Sequence, residues 1–448
     1  MGCRPRAEDV GAGLRHAKIR RVYSVAKTPI ETPADPVGPI DTPATASRPG
    51  VWIIQRLAAS FAHPNFRNLW LAAFTSAVGT WMQRFAQQWL ILTLTGSAFF
   101  LGLDAFLGEL PLLLFTLIGG VIADRHDRRH LLIASQSLQM VSALTLTAIV
   151  YFDVAQVHHI LALSFVTGLA QAFGGPAFQS MIPSLVPRSK LPNAIALNSI
   201  QFNLAQMVGP LIGGVVLVAY GLATCFGING LSFLVVIVVL SLMRLPPPPT
   251  DTRQRIMVEL KGGLSYVRNN GALVSLTILA MATTSLGLPI RAFLPVFADD
   301  AAHLSRMMTV IGGGAVVGAL TIAWLGQFQH MGRTLLIVQI AFAALVVTFA
   351  VLPISAVTYV VLFSIGATLL MIFSLTNSLV QLTVPNELRG RVMSIYLVAF
   401  RGGMPLGSLV SGYFISRSSA PLVVAVNGVL LALVAIYFLV RNHGVKEL

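Results

Sequence analysis

The sequence predicts an all-α polytopic membrane protein with twelve transmembrane helices in two pseudo-symmetric six-helix bundles, and three observations carry this. Charged residues make up 10% of the 448 residues and apolar ones 55%, whereas soluble proteins carry about 25% charge. Apolar stretches of about 20 residues, long enough to cross a bilayer as a helix, recur along the chain. A soluble core would supply one or two of them, not a series. The chain also matches itself at an offset of 198 residues: SLVPRSKLPNA (184–194) falls on LTVPNELRGRV (382–392), Gly120 on Gly318 and Gly209 on Gly407. Two such halves, related by an axis along the membrane normal, form a transporter architecture.

The elements follow in order. Residues 1–50 hold seven prolines and no apolar h-region, which excludes a cleavable signal peptide and predicts a disordered cytoplasmic tail. The start, MGCRPR, lacks the Ser or Thr that myristoylation needs at the sixth position. VWIIQRLAASF (51–61) is amphipathic and suits the membrane surface, so tail and surface segment together cover 1–62. Spans at about 68–94, 98–122, 130–152, 159–181, 193–219 and 223–244 form a first bundle, 63–244, with short joints at 95–97 (TGS) and 220–224 (YGLAT). A cytoplasmic linker, 245–271, opens with LPPPP, a stiff spacer, and continues into IMVELKGGLSYV, read as a short surface helix. Spans at about 272–297, 304–325, 333–353, 357–381, 392–415 and 421–440 form the second bundle, which with a short cytoplasmic tail covers 272–448.

Lysine and arginine set the orientation. Twenty-five of the 30 gather on one side of this arrangement; Arg306 and Arg417 fall on the other, and Arg84, Arg291 and Arg401 lie within spans. The basic side is cytoplasmic, which predicts a multi-pass protein of the bacterial cytoplasmic (inner) membrane with both termini inside. The same rule accounts for the net charge of +14, so no nucleic-acid partner is expected. Cys3 and Cys225 are placed for neither a disulfide nor a metal site. No HExxH, Walker loop or Ser/His/Asp arrangement occurs in the context it needs, and His158 and His159 read as interfacial residues. The chain is therefore expected to be no enzyme and to use no cofactor or metal, with a proton gradient as its energy source.

Charge concentrates in GGVIADRHDRRHLL, residues 119–132, between spans 2 and 3. As charge alone this is an ordinary cytoplasmic loop. As a pattern, Gly120-x-x-x-Asp124-Arg125-x-x-Arg128-Arg129 resembles the loop motif of the major facilitator superfamily, which has glycine where this chain has Asp127. The resemblance implies a latch: Asp124 meets the amino end of helix 11, and the arginines pair with nearby acids. Asp124 and Arg128 would then hold the cytoplasmic side shut when the outside is open. A carboxylate at a helix N-terminus gains about 0.3–1 kcal/mol. The matching segment, 318–333, lacks the acid and most of the base, so its latch is expected to be weaker.

In span 5, Ala205-x-x-x-Gly209-Pro210-x-x-Gly213-Gly214 is similar to an element that marks exporters of that superfamily, with Ala205 where glycine is usual. The residues alone read equally as helix packing with a proline kink. NFRNLWL, GTWMQ, LTGS, PSLVP with LPNAIALNS, LPVFA and VPNELRGRVMS resemble the enterobactin-exporter and macrolide-efflux-like branch. That branch implies alternating-access export of amphipathic small molecules such as siderophores or drugs. A lipid or metabolite carrier of the same fold is the alternative. A sensor or assembly partner would carry a large soluble domain, and none is read here. The chain is read as a monomer, with GGGAVVG (312–318) either internal packing or a dimer face.

Arg84, Asp104, Glu109, Arg291 and Arg401 fall within spans, each costing about 2.5–3.5 kcal/mol at the bilayer centre. Five unpaired charges would cost more than about 10 kcal/mol, the scale of a whole protein's stability, so they pair or line a wet cavity. Arg84 lies twelve residues before the turn at 96 and Glu109 thirteen after it; equal depth predicts an Arg84–Glu109 pair. Asp104 is about 140° round the helix from Glu109 and faces elsewhere. Trp81, Arg84 and Gln88 share one face, suited to a central cavity. Glu109 or Asp104 is expected to carry a proton if Arg84 leaves on substrate binding; a static ion pair is the other reading. Arg291 and Arg401 would attract an anionic substrate group or anchor an acid or helix end, and Arg401, nearer the cytoplasm, also suits a gate. Gln201, Asn203, Gln206 and Asn377 are further cavity candidates, although such amides more often join helices.

Overall fold

The computed structural model describes residues 1–2, 58–125, 127–243, 264–352, 355–385, 388–441 and 444–448, without the side chains of Ala58, Leu117, Val121, Ala123, Asp124 and Arg125. The expectations for the tail up to residue 57 and for the linker through residue 263 lie outside these residues. The helices belong to one compact unit, Ile53–Leu448.

Twelve long helices run through the described residues: α1 (Pro64–Thr95), α2 (Ala98–Arg125), α3 (Arg128–Tyr151), α4 (Val157–Leu185), α5 (Leu191–Tyr220) and α6 (Leu222–Leu242), then α7 (Gly271–Phe297), α8 (Ala301–Leu325), α9 (Met331–Val351), α10 (Ala356–Thr383), α11 (Arg389–Arg417) and α12 (Ala420–Val440). Eleven are long and apolar enough to cross a membrane. In α1, 32 residues long, Gln83, Arg84, Gln87 and Gln88 lower the hydropathy. Local chemistry sets the ends. Gly96, at φ 61°, closes α1 and its N–H reaches the Leu92 carbonyl. Asp127 caps α3, Asn270 α7, Asp300 α8 and Ser419 α12, each accepting a first-turn N–H. Of the amphipathic segment, Ala58–Ala62 is described, and it is tied to the α4–α5 connection and the first turn of α5. The Ser60 N–H donates to Asn193 Oδ1 (3.0 Å) and its hydroxyl to the Lys190 carbonyl (3.3 Å).

The halves repeat one packing scheme. In the first, α1 packs on α5 and α6, α2 on α4, and α3 on α4 and α6; in the second, α7 packs on α11 and α12, α8 on α10, and α9 on α10 and α12. Glycines 198 apart do the same work: a Cβ on Gly209 would lie 2.5 Å from Trp81 Cβ on α1, and one on Gly407 would strike the Ser285 backbone on α7. Gly168 and Gly366 likewise press on the backbones of α2 and α8. Gly120 and Gly318 do not correspond in packing, since Gly318 abuts Ala367 and Gly120 faces open space. α7 is not one regular helix: a π-turn, Thr283–Gly287, interrupts it, and Leu294–Phe297 winds as 3-10. Gly403 and Gly407 of α11 sit against Thr284 and Ser285 of that turn.

Between the halves, α2 packs on α11 and α5 on α8. These contacts concentrate away from the side carrying Arg128, Arg188, Arg333 and Arg389 (the basic side). Gly102 of α2 meets Ser408 and Gly412 of α11, Gly214 meets Ser305, and the Ser305 hydroxyl donates to the Pro210 carbonyl at 2.7 Å. Gly312 lies on Met207 and the Gln206 carbonyl, while Gly314 and Gly318 lie on α10; the glycine stripe serves internal packing. Towards the basic side the same faces separate. Ala196, Ser199 and Ile200, below Met207 on α5, are exposed, as are Leu397, Val398 and Arg401 on α11. The apolar core follows this geometry: one cluster joins both halves on the far side, and Phe66, Leu132, Met181, Leu197 and Leu240 form a separate core at the basic end of the first half. The cleft is open to the basic side.

Candidate functional site

Arg84 and Glu109 meet at 3.5 Å, with 40% and 20% of their side chains exposed, the pairing that equal depth predicts. Glu109 shares a face of α2 with Gly102 and Leu113, which lie against α11, so the pair lies on the side of α2 that turns to the other half and is part-exposed there. Trp81, on the same face of α1 as Arg84, joins the two halves: the Arg84 guanidinium lies 5.1 Å from its ring centroid and that of Arg291, from α7, 5.2 Å. Both are cation–π distances. The two guanidinium groups are then no more than about 10 Å apart, where like charges repel by roughly 1–2 kcal/mol at an effective dielectric of about 20 before solvent screening. Glu109 offsets Arg84; Arg291 has no acidic partner among the described residues.

Asp104 points into the first bundle. Its Oδ1 accepts from Ser164 Oγ of α4 (2.5 Å) and from Gln87 Nε2 of α1 (2.9 Å). Gln87 Oε1 accepts from Gln83 (3.5 Å), whose Oε1 accepts from Asn229 Nδ2 of α6 at 2.6 Å. One polar chain thus crosses α6, α1, α2 and α4. Gln83, Gln87, Ser164 and Asn229 went unrecognised in the sequence. The available signal was the i, i+4 spacing of the two glutamines on the face opposite Trp81.

The other candidates scatter. Arg401 is exposed on the face of α11 whose next turns, Ser408 and Gly412, pack on α2, which puts it at the basic lip of the cleft. Gln201 is buried among Phe66, Leu69, Phe178 and Leu185 at the basic end, away from Trp81. Asn203 donates to the Ser199 carbonyl one turn back (2.8 Å), and Gln206 is buried on the α5–α8 interface. Gln88 and Asn377 are part-buried, and no contact places them with the charged group. Gly209 and Gly213 face α1, where Cβ atoms would meet Trp81 and Phe85, while Pro210 and Gly214 face α8. A groove of about 440 Å³ between α1, α5 and α6, lined by Phe74, Val78, Met82, Ile212 and Leu231, contains none of the charged residues.

In the loop motif, Gly120 has open space around it and the Asp124 and Arg125 side chains lie outside the described residues. Arg128 Nη1 donates to the Ser180 carbonyl near the end of α4 at 2.9 Å, and Arg129 to the Ser241 carbonyl at the end of α6. Both carbonyls stand near helix C-termini of the same half, where cations are favoured. Asp127 takes the glycine position without a left-handed turn (φ −61°), because it serves as the α3 N-cap: it accepts from the Arg129 N–H and lies 2.9 Å from His130. No group of three or more His, Cys, Asp or Glu able to hold a metal occurs among the described residues.

Two six-helix halves around a charged cleft define a transporter of the major facilitator type, a multi-pass membrane protein and not an enzyme. Residues 56–447 match the family described as transmembrane secretion effectors, and the chain belongs to that family. It is 27% identical over 355 residues to the multidrug efflux pump Tap of Mycolicibacterium fortuitum (76% of this chain, 87% of Tap). It is 25% identical over 366 residues to the enterobactin exporter EntS of Shigella boydii serotype 4 (81% of this chain, 87% of EntS). A bacterial homologue of the human lysosomal transporter Spinster, solved inward-facing and unoccupied, superposes with a TM-score of 0.68 at 14% identity, covering 86% of this chain and 98% of that one.

Proposed function

We propose that this chain exports amphipathic small molecules of the siderophore or drug kind across the bacterial cytoplasmic membrane, by alternating access and in exchange for protons, with the basic side in the cytoplasm. The observation that carries this reading is the Arg84–Glu109 pair, 3.5 Å apart at a cleft open to the basic side. Exchange needs a carboxylate that meets the pathway and changes partners with its protonation state. Glu109 meets the first condition, and Arg84, its ion-pair partner, is the group it would exchange for a proton. Asp104, turned into the bundle and held by Ser164 and Gln87, serves as a fastening. In this form Glu109 is paired with Arg84; cargo that draws Arg84 away would leave Glu109 to take up a proton. The exporter names of Tap and EntS, and the Gly209–Gly214 element at the closed far side, support the outward direction.

The test uses inverted vesicles energised with a pH gradient, with a macrolide or a catecholate siderophore supplied outside. Glu109→Gln is expected to abolish gradient-driven uptake while cargo counterflow persists, and Asp104→Asn to retain coupling. Full coupling in both variants refutes the proposal.

A further inference from the structure

We infer that Arg291 receives an acidic group of the cargo, with the attached ring or apolar body lying against Trp81 and Phe202. This deepens the exporter reading and rests on the cleft being its cargo site. Arg84 has Glu109 at 3.5 Å, whereas Arg291, on the opposite half, has no acid beside it among the described residues. Arg291 is part-buried and shares the Trp81 ring with Arg84, whose side chain is 40% exposed. A guanidinium in this position is costly without an anion, and the Trp81 face 5.2 Å away offsets only part of that cost.

The surroundings favour an acid joined to an aromatic or apolar body. Phe202 of α5 stands edge-on to Trp81, with centroids 6.0 Å apart, and is 53% exposed. Arg401 adds a second positive charge at the basic lip, through which cytoplasmic cargo would enter. Among the described residues Glu109 is the acid at this cleft, and it is already paired. Three guanidinium groups against one carboxylate select for negative charge. The planar fork of Arg291 matches a carboxylate in a way an ammonium does not.

The test uses the full chain in lipid nanodiscs and three probes of one shape: 1-naphthoate, 1-naphthamide and 1-naphthylmethylammonium, titrated by calorimetry. The acid is expected to bind at least about tenfold tighter than the amide. Arg291→Gln should bring the acid down to the amide's affinity while amide binding, the check on folding, persists; Arg291→Lys should keep part of the preference. Glu109→Gln, which frees Arg84, should bind the acid as tightly or more tightly. Equal affinity for acid and amide, a preference that survives Arg291→Gln, or an ammonium that binds tightest would each overturn the inference. Failure of proton exchange shows instead in vesicle transport by Glu109→Gln, so the two readings fail separately.

Discussion

Gly213 and Gly214 are adjacent in α5 but face different bodies, which makes them a test of how the cleft is closed on the far side. A Cβ on Gly214 would fall on the Ser305 side chain of α8, with Ser305 Cβ only 2.5 Å away, whereas a Cβ on Gly213 would meet Phe85 Cδ1 at 2.8 Å and Met82 Cγ at 3.1 Å, within the first half. Overpacking by one methyl costs about 1–3 kcal/mol. For Gly214→Ala that cost is relieved when the halves part, and it is therefore paid only in the closed form; a difference of 1–3 kcal/mol moves a two-state ratio by about 5- to 150-fold. For Gly213→Ala the cost persists in both forms and lowers thermal stability instead. Spin labels at Tyr151 and Arg417, at the far ends of the two halves, would report the distance distribution by pulsed EPR. Gly214→Ala should add a long-distance population that Gly213→Ala lacks. An unchanged distribution in Gly214→Ala, or equal opening in both variants, would refute the assignment of Gly214 to the interface.

Two other substitutions probe local parts. Asp104→Ala leaves the donors of Ser164 and Gln87 without their carboxylate, and is expected to cost about 1–3 kcal/mol, read as a lower melting temperature in detergent. Asp127→Ala removes the cap of α3, worth about 0.5–2 kcal/mol. Amide exchange at Arg129, whose N–H the cap accepts, should accelerate roughly 2- to 30-fold by the same figure, with the far end of α3 unaffected.

What could be read from the sequence was what depends on depth and period. Arg84 and Glu109 could be matched because a tight turn fixes the relative height of two helices, and the offset of 198 could be found because Gly209 and Gly407 do the same packing work. Rotation about the helix axes could not be read. Ser164 and Asn229 look like ordinary small polar residues until α4 and α6 are turned to face Asp104 and Gln83. Backbone acceptors are anonymous in a sequence, so the Ser180 and Ser241 carbonyls that hold Arg128 and Arg129 carried no signal. The match of Gly120 to Gly318 shows the limit of such alignment: one glycine is pressed against a neighbour and the other faces open space. The interruption of α7 was also hidden, because TTSLG (283–287) sits inside a continuous uncharged span and nothing in it separates a π-turn from an α-turn.

The π-turn of α7 holds one more residue than an α-helical turn, closed by the Leu288 N–H reaching back to the Thr283 carbonyl. Rewinding it to α-helix would swivel everything beyond by one residue, about 100° about the axis. Arg291 lies just past that point, so a single slipped hydrogen bond would carry its positive charge off the Trp81 ring without moving α1.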